Sequence, residues 1–222
     1  MFRELGTIIH CNMAIGIKLS ETDSRLFCCS KWWGDPDMPS DMEYPMFQGE
    51  DGEEYPLTFV CQIDCAEVTT AFPDCGLPED GMLYFFAAMD EYLGYETPYH
   101  LGIGKWPKGA TKVKYAKNIN PETFESYIMV DDQDEPVTLP AMKMEFFNCE
   151  DDADGLKLLG IPSNGDACDN NPSQISLLQI DSEADGLDDV RIYDCGFINF
   201  LMKKNELENG WWHSSYGYLS SY

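Results

Sequence analysis

A short polar pattern, glutamine–isoleucine–aspartate, occurs twice in this chain, each time at the end of an apolar stretch. The first copy contains Gln62 and Asp64, and the second contains Gln179 and Asp181. Because side chains alternate along a strand, the glutamine and the aspartate of each copy lie on the same strand face. If a pseudo-twofold axis relates the copies, the four side chains converge on one cleft, where they could bind a ligand.

The same four residues also have a purely structural interpretation, which we favour. Each glutamine can satisfy backbone groups of the loop beside its strand, and each aspartate can cap the turn that follows. The pattern therefore leaves ligand binding open and assigns no catalytic residue.

Two acidic stretches, residues 150–155 and 181–186, resemble the beginning of an EF-hand calcium loop. Such a loop needs a bidentate glutamate at its twelfth position. Isoleucine stands there in both stretches, at Ile161 and Ile192. The pattern therefore indicates solvated loops, and we expect neither a metal site nor a cofactor.

Nine cysteines and three histidines are the other residues that could carry chemistry. They show no metal-ligand spacing and no C-x-x-C pair. A cysteine–histidine nucleophile pair stays open, because such residues can meet in space without any sequence signal. The sequence lacks the G-x-S-x-G nucleophile elbow and the glycine-rich nucleotide loops. An odd number of cysteines without a secretory pattern favours a reduced, cytoplasmic protein.

The net charge restricts the classes of partner. The chain has 40 acidic and 14 basic residues among 222, which gives a formal net charge of −26. This charge repels phosphate backbones and anionic lipids, so we expect no nucleic-acid and no membrane partner. Three acidic runs between predicted strands are typical of solvated loops and would also suit a basic partner protein. The runs are Glu50–Glu54, Asp131–Glu135 and Glu150–Asp154.

Several of the few basic residues lie close together. Lys112 and Lys114 share one face of an alternating segment, and Val113 and Tyr115 share the other. Lysines on an edge strand guard a sheet against edge-to-edge pairing, and we favour this role over an anion-binding patch. The cluster consists of Lys105, Lys108, Lys112, Lys114 and Lys117.

The polar pattern belongs to a longer internal repeat, in which three segments of the first half recur in the same order. We therefore predict an α+β fold, mainly antiparallel β and internally duplicated. The whole chain, 1–222, forms one domain with related halves at about 25–95 and 142–207. The matching segments are 31–36 with 157–162, 60–64 with 177–181, and 81–86 with 196–201.

Apolar and alternating segments predict the strands that position these residues. The best helix candidate is Asn120–Ile128, which has a capping residue followed by Pro121 at the first helical position. A helical turn is predicted at residues 206–209 and a packed aromatic tail at 211–222. The predicted strands are Ala14–Leu19, Arg25–Ser30, Leu57–Ile63, Gly81–Ala88, Met142–Phe147, Ile175–Ile180 and Gly196–Met202.

Segments spread between Ser30 and Leu207 resemble the YwqG-like family of bacterial proteins. The resemblance rests on residues 30–39, 62–64, 77–86, 157–162, 178–182 and 196–201. It implies a cytoplasmic protein of unknown function with no established catalytic residues. It also implies an association with toxin and immunity loci, which suits an acidic protein-binding role. The chain departs from the family pattern at Trp32-Trp33 and at Asn199.

The leading hypothesis is a non-enzymatic, acidic protein-binding module, with an immunity-type protein as one form of it. Its partner would be a basic protein. The alternative is an enzyme or small-molecule binder with a cleft between the halves, lined by Gln62, Asp64, Gln179 and Asp181. The sequence does not decide the oligomeric state.

Overall fold

Strand β6 (Thr58–Asp64) shows how this sequence builds its core. Its residues Phe59 to Ile63 are all buried, and the neighbouring strand β7 (Met82–Ala87) is buried over its whole length. A continuous run of apolar and aromatic residues is typical of a strand that is covered on both faces. The sheet is therefore enclosed in this part of the molecule.

The computed structural model describes residues 13–130, 133–163, 167 and 173–221. Strands dominate, and both α-helices in this part of the chain are short. Two 3₁₀ turns cover Asp90–Leu93 and Trp212–Ser214. The other elements are β1 (Met13–Ser20), β2 (Lys31–Trp32), β3 (Asp37–Pro39), β4 (Met46–Gln48), β5 (Glu54–Pro56), β6, α1 (Cys65–Ala71), β7, β8 (Gly104–Lys105), β9 (Thr111–Ala116), β10 (Phe124–Ser126), β11 (Met142–Glu150), β12 (Lys157–Gly160), β13 (Gln174–Asp181), β14 (Gly196–Lys203), α2 (Lys204–Glu208) and β15 (Tyr216–Ser221).

Most strands join one antiparallel sheet in the order β8-β15-β14-β13-β12-β1-β11-β2-β6-β7-β9. The sheet curls on itself, because Phe85 of β7 meets Phe200 of β14 across the core. Their rings pack edge to face with centroids 5.3 Å apart, although seven positions separate their strands in the sheet order. The pairs β3–β10 and β4–β5 lie outside this sheet. The fold is thus mainly antiparallel β, as predicted.

The strands on the two sides of the central β1–β11 pair follow the same arrangement. On one side β2, β6, β7 and β9 are hydrogen-bonded in that order, and on the other side β12, β13, β14 and β15 are. Lys31 lies opposite Gln62, as Lys157 lies opposite Gln179. Strands β6 and β13 each have a register shift at the corresponding place.

The strands predicted near 14–19, 57–63, 81–88, 142–147, 175–180 and 196–202 are confirmed. Two other element predictions are wrong. Residues 25–30 form no strand: the chain bends at Cys28 and Cys29, and Cys28 has a φ of 54°. Asn120 caps only one turn, accepting a hydrogen bond from the backbone N–H of Glu122 (3.1 Å). The chain then enters β10, because pairing with β3 prevails over the local helix signal.

Strand β9 is the last strand at one end of the sheet. Val113 on it is buried, whereas Lys112 and Lys114 are partly exposed, as the alternation predicts. The predicted packing of the tail is also seen: Trp212 is buried and its ring lies 5.8 Å from that of Tyr115. The guarding role of the lysines stays a prediction.

Candidate functional site

Gln62 is fully buried and organises the loop that follows β2. Its Oε1 accepts a hydrogen bond from the backbone N–H of Asp37 (2.9 Å). Its Nε2 donates to Asp37 Oδ2 and to the carbonyl of Cys29, both at 2.9 Å. The Asp37 carboxylate also accepts from Lys31 Nζ (2.7 Å) and from the Ser126 hydroxyl (2.7 Å). The glutamine is therefore part of a closed buried network.

Gln179 does the same for the loop that follows β12. Its Oε1 accepts from the backbone N–H of Ser163 (2.9 Å), and its Nε2 donates to Ser163 Oγ (2.8 Å). Its Nε2 also donates to the Gly155 carbonyl (3.0 Å). Lys157 Nζ completes the network by donating to the carbonyls of Asp151 (3.1 Å) and Ala153 (2.5 Å). Ser163 thus takes the place that Asp37 has in the first half.

The two aspartates cap the turns after their strands, as the structural interpretation predicts. Asp64 is the N-cap of α1 and accepts from the N–H of Ala66 (3.0 Å). Asp181 accepts from the N–H of Glu183 (2.9 Å) with one oxygen and from the N–H of Gly155 (2.8 Å) with the other. The second contact brings the two EF-hand-like stretches together.

The structure does not bring the two polar pairs into one cleft. Phe85 and Phe200 mark the inner face of the curled sheet. Gln62 and Gln179 lie one register position away from them, on the opposite strand face, so both point to the outside of the curl. In the described parts of the chain, no hydrogen bond links the first pair to the second. A ligand-binding role for these four residues stays a prediction without geometric support.

An apolar pocket of about 300 Å³ offers a better candidate site. Its walls come from segments that are far apart in the sequence, and therefore no sequence motif predicts it. They are residues 33, 34, 36, 44, 56–59, 90, 93, 95, 129, 130 and 137–139. Pockets of this size, lined by apolar side chains with few polar groups, are typical binding sites for small groups.

A tight turn after β2 places Trp33 in the pocket wall. Trp33 has a φ of 54° and Gly34 a φ of 74°, a left-handed conformation that suits glycine. The N–H of Trp33 donates to the carbonyl of Val60 (2.9 Å), and that of Gly34 donates to the carbonyl of Leu139 (3.0 Å). A Cβ at Gly34 would lie 2.7 Å from the Ala141 side chain, so this position requires glycine.

Three hydrophobic side chains of the pocket wall remain exposed at its mouth: Tyr95 (46%), Val130 (46%) and Val137 (40%). Scattered exposed hydrophobic residues are ordinary, but their grouping around a pocket is typical of an interaction site. Two of the three acidic runs are attached to the same walls. Strand β5 begins at exposed Glu54 and ends at a wall residue, and Val130 forms a bridge to Pro136 that closes the second run.

Two carboxylates belong to this region. Asp90 is in the wall and accepts hydrogen bonds from the Thr58 hydroxyl and from Tyr99 Oη (3.2 Å). Asp35 lies between two wall residues, and its buried Oδ1 has no hydrogen-bond partner among the described residues. Burial raises the pKa of Asp35, although a hydrogen bond from Thr138 opposes the shift. The pocket is therefore apolar with a negative border.

Three of the described cysteines, Cys28, Cys61 and Cys65, do not have the properties of a nucleophile. Burial, followed by the charge of Asp37, raises the pKa of Cys28 to about 11. Burial also raises the pKa of Cys65 to about 12 and that of Cys61 well above its usual value. A nucleophilic thiol needs a lowered pKa. His100 is exposed and lies 2.7 Å from Glu91. Cys11, Cys168 and His10 lie outside the described residues.

A family model described as a domain of unknown function, DUF1963, matches residues 30–218. The chain belongs to this family. No curated protein matches it. The match begins just before β2 and ends within β15, so the DUF1963 region includes both halves of the sheet and all walls of the pocket.

Within the described part of this DUF1963 protein, no three His, Cys, Asp or Glu side chains are grouped so that they could hold a metal ion. None of the helices described here combines the length and hydrophobicity needed to cross a membrane.

Proposed function

We propose that this DUF1963 domain is a non-enzymatic protein-binding module whose partner is a basic protein. The observation that carries the proposal is the attachment of two acidic runs to the walls of an apolar pocket with an exposed hydrophobic mouth. Apolar centres with a charged border are the usual anatomy of protein interfaces. An immunity-type protein is one form of such a module.

Charge complementarity supports a basic partner. The formal net charge is −26, and Glu50, Glu53 and Glu54, in the β4–β5 hairpin that leads into the pocket wall, are all exposed. Exposed charges of one sign steer an oppositely charged partner and increase the association rate more than the final affinity. Binding should therefore weaken markedly with added salt.

We also propose that the two halves of the sheet derive from one duplicated unit. The same strand order on both sides of β1–β11 supports this, as do the equivalent positions of Lys31 and Lys157 opposite a glutamine. In this proposal the duplicated units span about 25–95 and 142–207. We also propose that the family is the YwqG-like one and that the protein is cytoplasmic. The buried thiols of Cys61 and Cys65 are consistent with a reducing compartment.

The test is a pull-down of the tagged protein from a lysate of its own host, eluted with a salt gradient and followed by mass spectrometry. The identified partner is then purified and its affinity measured for two variants of equal charge. One variant, the pocket-side variant, carries Glu50→Gln, Glu53→Gln and Glu54→Gln in the hairpin that leads into the pocket wall. The control carries Glu150→Gln, Asp152→Asn and Asp154→Asn in an exposed run that does not line the pocket.

We expect the pocket-side variant to weaken binding of the basic partner about tenfold or more and the control to weaken it much less. A partner whose affinity is indifferent to salt, or equal effects of the two variants, would contradict the proposal.

A further inference from the structure

The main polar side chains of the pocket walls are hydrogen-bonded within the protein. The Thr58 hydroxyl donates to one oxygen of Asp90, and Tyr99 Oη donates to the other (3.2 Å). The Tyr44 hydroxyl donates to the carbonyl of Leu57 (2.8 Å). An occupant of the pocket therefore meets apolar surface and polar groups that already have partners.

The charges of the walls restrict the occupant further. Among the described residues that line the pocket, none is a lysine, arginine or histidine, and Asp90 is the one carboxylate. A negative group would be repelled there, and a positive one would compete for Asp90 with two hydroxyl groups. Burying a charge is costly unless it is well paired. A neutral apolar group is therefore the occupant that these walls can bury at least cost.

The shape and chemistry of the walls suit an aromatic ring. Trp33, Tyr44, Phe59 and Tyr95 all contribute aromatic surface. Aromatic rings pack favourably against one another edge to face or offset, and an aromatic side chain in a pocket is a typical centre of a protein interface. The volume of about 300 Å³ is at the lower end of the range for ligand pockets, so it accommodates one large side chain.

The mouth of the pocket favours a side chain of a partner over a free small molecule. Tyr95, Val130 and Val137 are exposed there. A free ligand inside the pocket would leave these three residues in contact with water. The main chain on either side of an inserted side chain would cover them and add to the buried apolar surface.

Exposed carboxylates near the mouth select the residues beside the inserted side chain. Val130 at the mouth forms a bridge to Pro136, and this bridge closes a turn in which Asp134 and Glu135 are exposed. Exposed Glu54 begins strand β5, which ends at a wall residue. Basic residues that flank the inserted side chain would face this negative charge.

We infer that the pocket receives one phenylalanine side chain of the basic partner, from a segment in which lysine or arginine residues flank that phenylalanine. This inference rests on the proposed protein-binding function and specifies which group of the partner enters the pocket. The ring supplies affinity by burial among the aromatic walls, and the basic flanks supply orientation and salt dependence.

The probe is the peptide acetyl-Gly-Lys-Lys-Phe-Lys-Lys-Gly-amide. One comparison peptide has alanine in place of phenylalanine at the same charge, and a second has glutamate in place of every lysine. Binding to the full chain is followed by ¹H–¹⁵N NMR, with the Trp33 indole and the backbone amides of the pocket walls as reporters. We expect the phenylalanine peptide to bind at the pocket about tenfold or more tightly than the alanine peptide. The glutamate peptide should bind more weakly at low salt.

Two pairs of variants at exposed positions locate the effect. Val137→Lys at the mouth should reduce binding of the phenylalanine peptide, whereas Ile128→Lys makes the same change of charge outside the wall and should not. Tyr95→Ser removes aromatic surface at the mouth and should also weaken binding. Tyr193→Ser makes the same change at an exposed tyrosine outside the wall and should leave binding intact.

Three results would overturn the inference. The phenylalanine and alanine peptides could bind equally, the shifts could lie away from the pocket walls, or the glutamate peptide could bind as tightly as the lysine one. Equal binding of the phenylalanine peptide and of N-acetyl-phenylalanine amide would also overturn it, since the occupant would then be a free small molecule.

Failure of the proposed function gives a different pattern. In that case the phenylalanine peptide binds at the pocket, but the pull-down yields no basic partner whose binding is salt-sensitive. If such a partner is found and Val137→Lys leaves its affinity unchanged, the inference alone fails.

Discussion

Both halves of the sheet use a buried lysine and a buried glutamine to hold the loop after a short strand, but the groups that bind the lysine differ. In both, a buried lysine lies opposite a buried glutamine, and that glutamine accepts a hydrogen bond from a backbone N–H six residues after the lysine. In the first half this N–H belongs to Asp37, whose carboxylate pairs with Lys31. In the second half it belongs to Ser163, and Lys157 donates to carbonyls instead.

This difference shows which features belong to the scaffold and which to one half. The lysine, the glutamine and the capping aspartate are shared, so their first role is to hold the loop after each short strand. The walls of the pocket come from the first half and from residues 129–139, and no described residue of the second half lines it. Asp35 and Trp33 in its region correspond to Ile161 and Leu159 in the second half. Candidate function is therefore expected where the halves differ.

The largest effect is expected when the first half is given the second half's residue at the centre of its network. Asp37→Ser leaves the Lys31 ammonium buried without its carboxylate and should lower the free energy of unfolding by about 3–5 kcal/mol. Ser163→Ala, which removes only a hydroxyl, should cost about 1–2 kcal/mol. Urea denaturation measures both. If Asp37→Ser lowers the free energy of unfolding no more than Ser163→Ala does, the proposed difference between the two networks is wrong.

An intermediate and equal effect is expected for the shared glutamines. Gln62→Leu and Gln179→Leu each leave a buried backbone N–H and carbonyl without their partner, and each should cost about 1–3 kcal/mol. The measurement is urea denaturation of the two variants under identical conditions. A glutamine that could be replaced without loss would show that its network is not part of the shared scaffold.

The smallest effect, of opposite sign, is expected at Asp35. Because its pKa in the folded protein is raised, the ionised side chain opposes folding, and this penalty grows as the pH rises through that pKa. Asp35→Asn should therefore increase the stability at pH 7 by less than about 1 kcal/mol, since the group is partly exposed. The gain should disappear near pH 4, approaching the pKa of the unfolded chain.

Urea denaturation at both pH values measures this difference, with Asp41→Asn as the control for loss of one negative charge. Destabilisation by Asp35→Asn at pH 7 would contradict this prediction and indicate that the ionised Asp35 side chain stabilises the turn, to which the hydrogen bond from Thr138 contributes.

The sequence predicted the scaffold better than the candidate site. Strands β6 and β13 have strong apolar patterns, and the recurring Gln-Ile-Asp pointed to their equivalent loops. The helix predicted at Asn120–Ile128 failed because pairing between distant strands outweighed a good local start. No sequence pattern predicted the pocket, because its walls meet only through long-range contacts. Nor did any pattern distinguish Asp35 from other loop residues.

The central β1–β11 pair has a consequence for the order in which this protein folds. Met13 pairs with Glu150, so β1, the first strand in the described part of the chain, cannot pair with β11 until more than half of the chain has been synthesised. Contacts between such distant residues slow folding, because a long loop must close first. During synthesis β1 and β2 would both present open strand edges, and such edges favour aggregation. The strong negative charge of the nascent chain would then keep neighbouring copies apart until β11 emerges and joins the two halves.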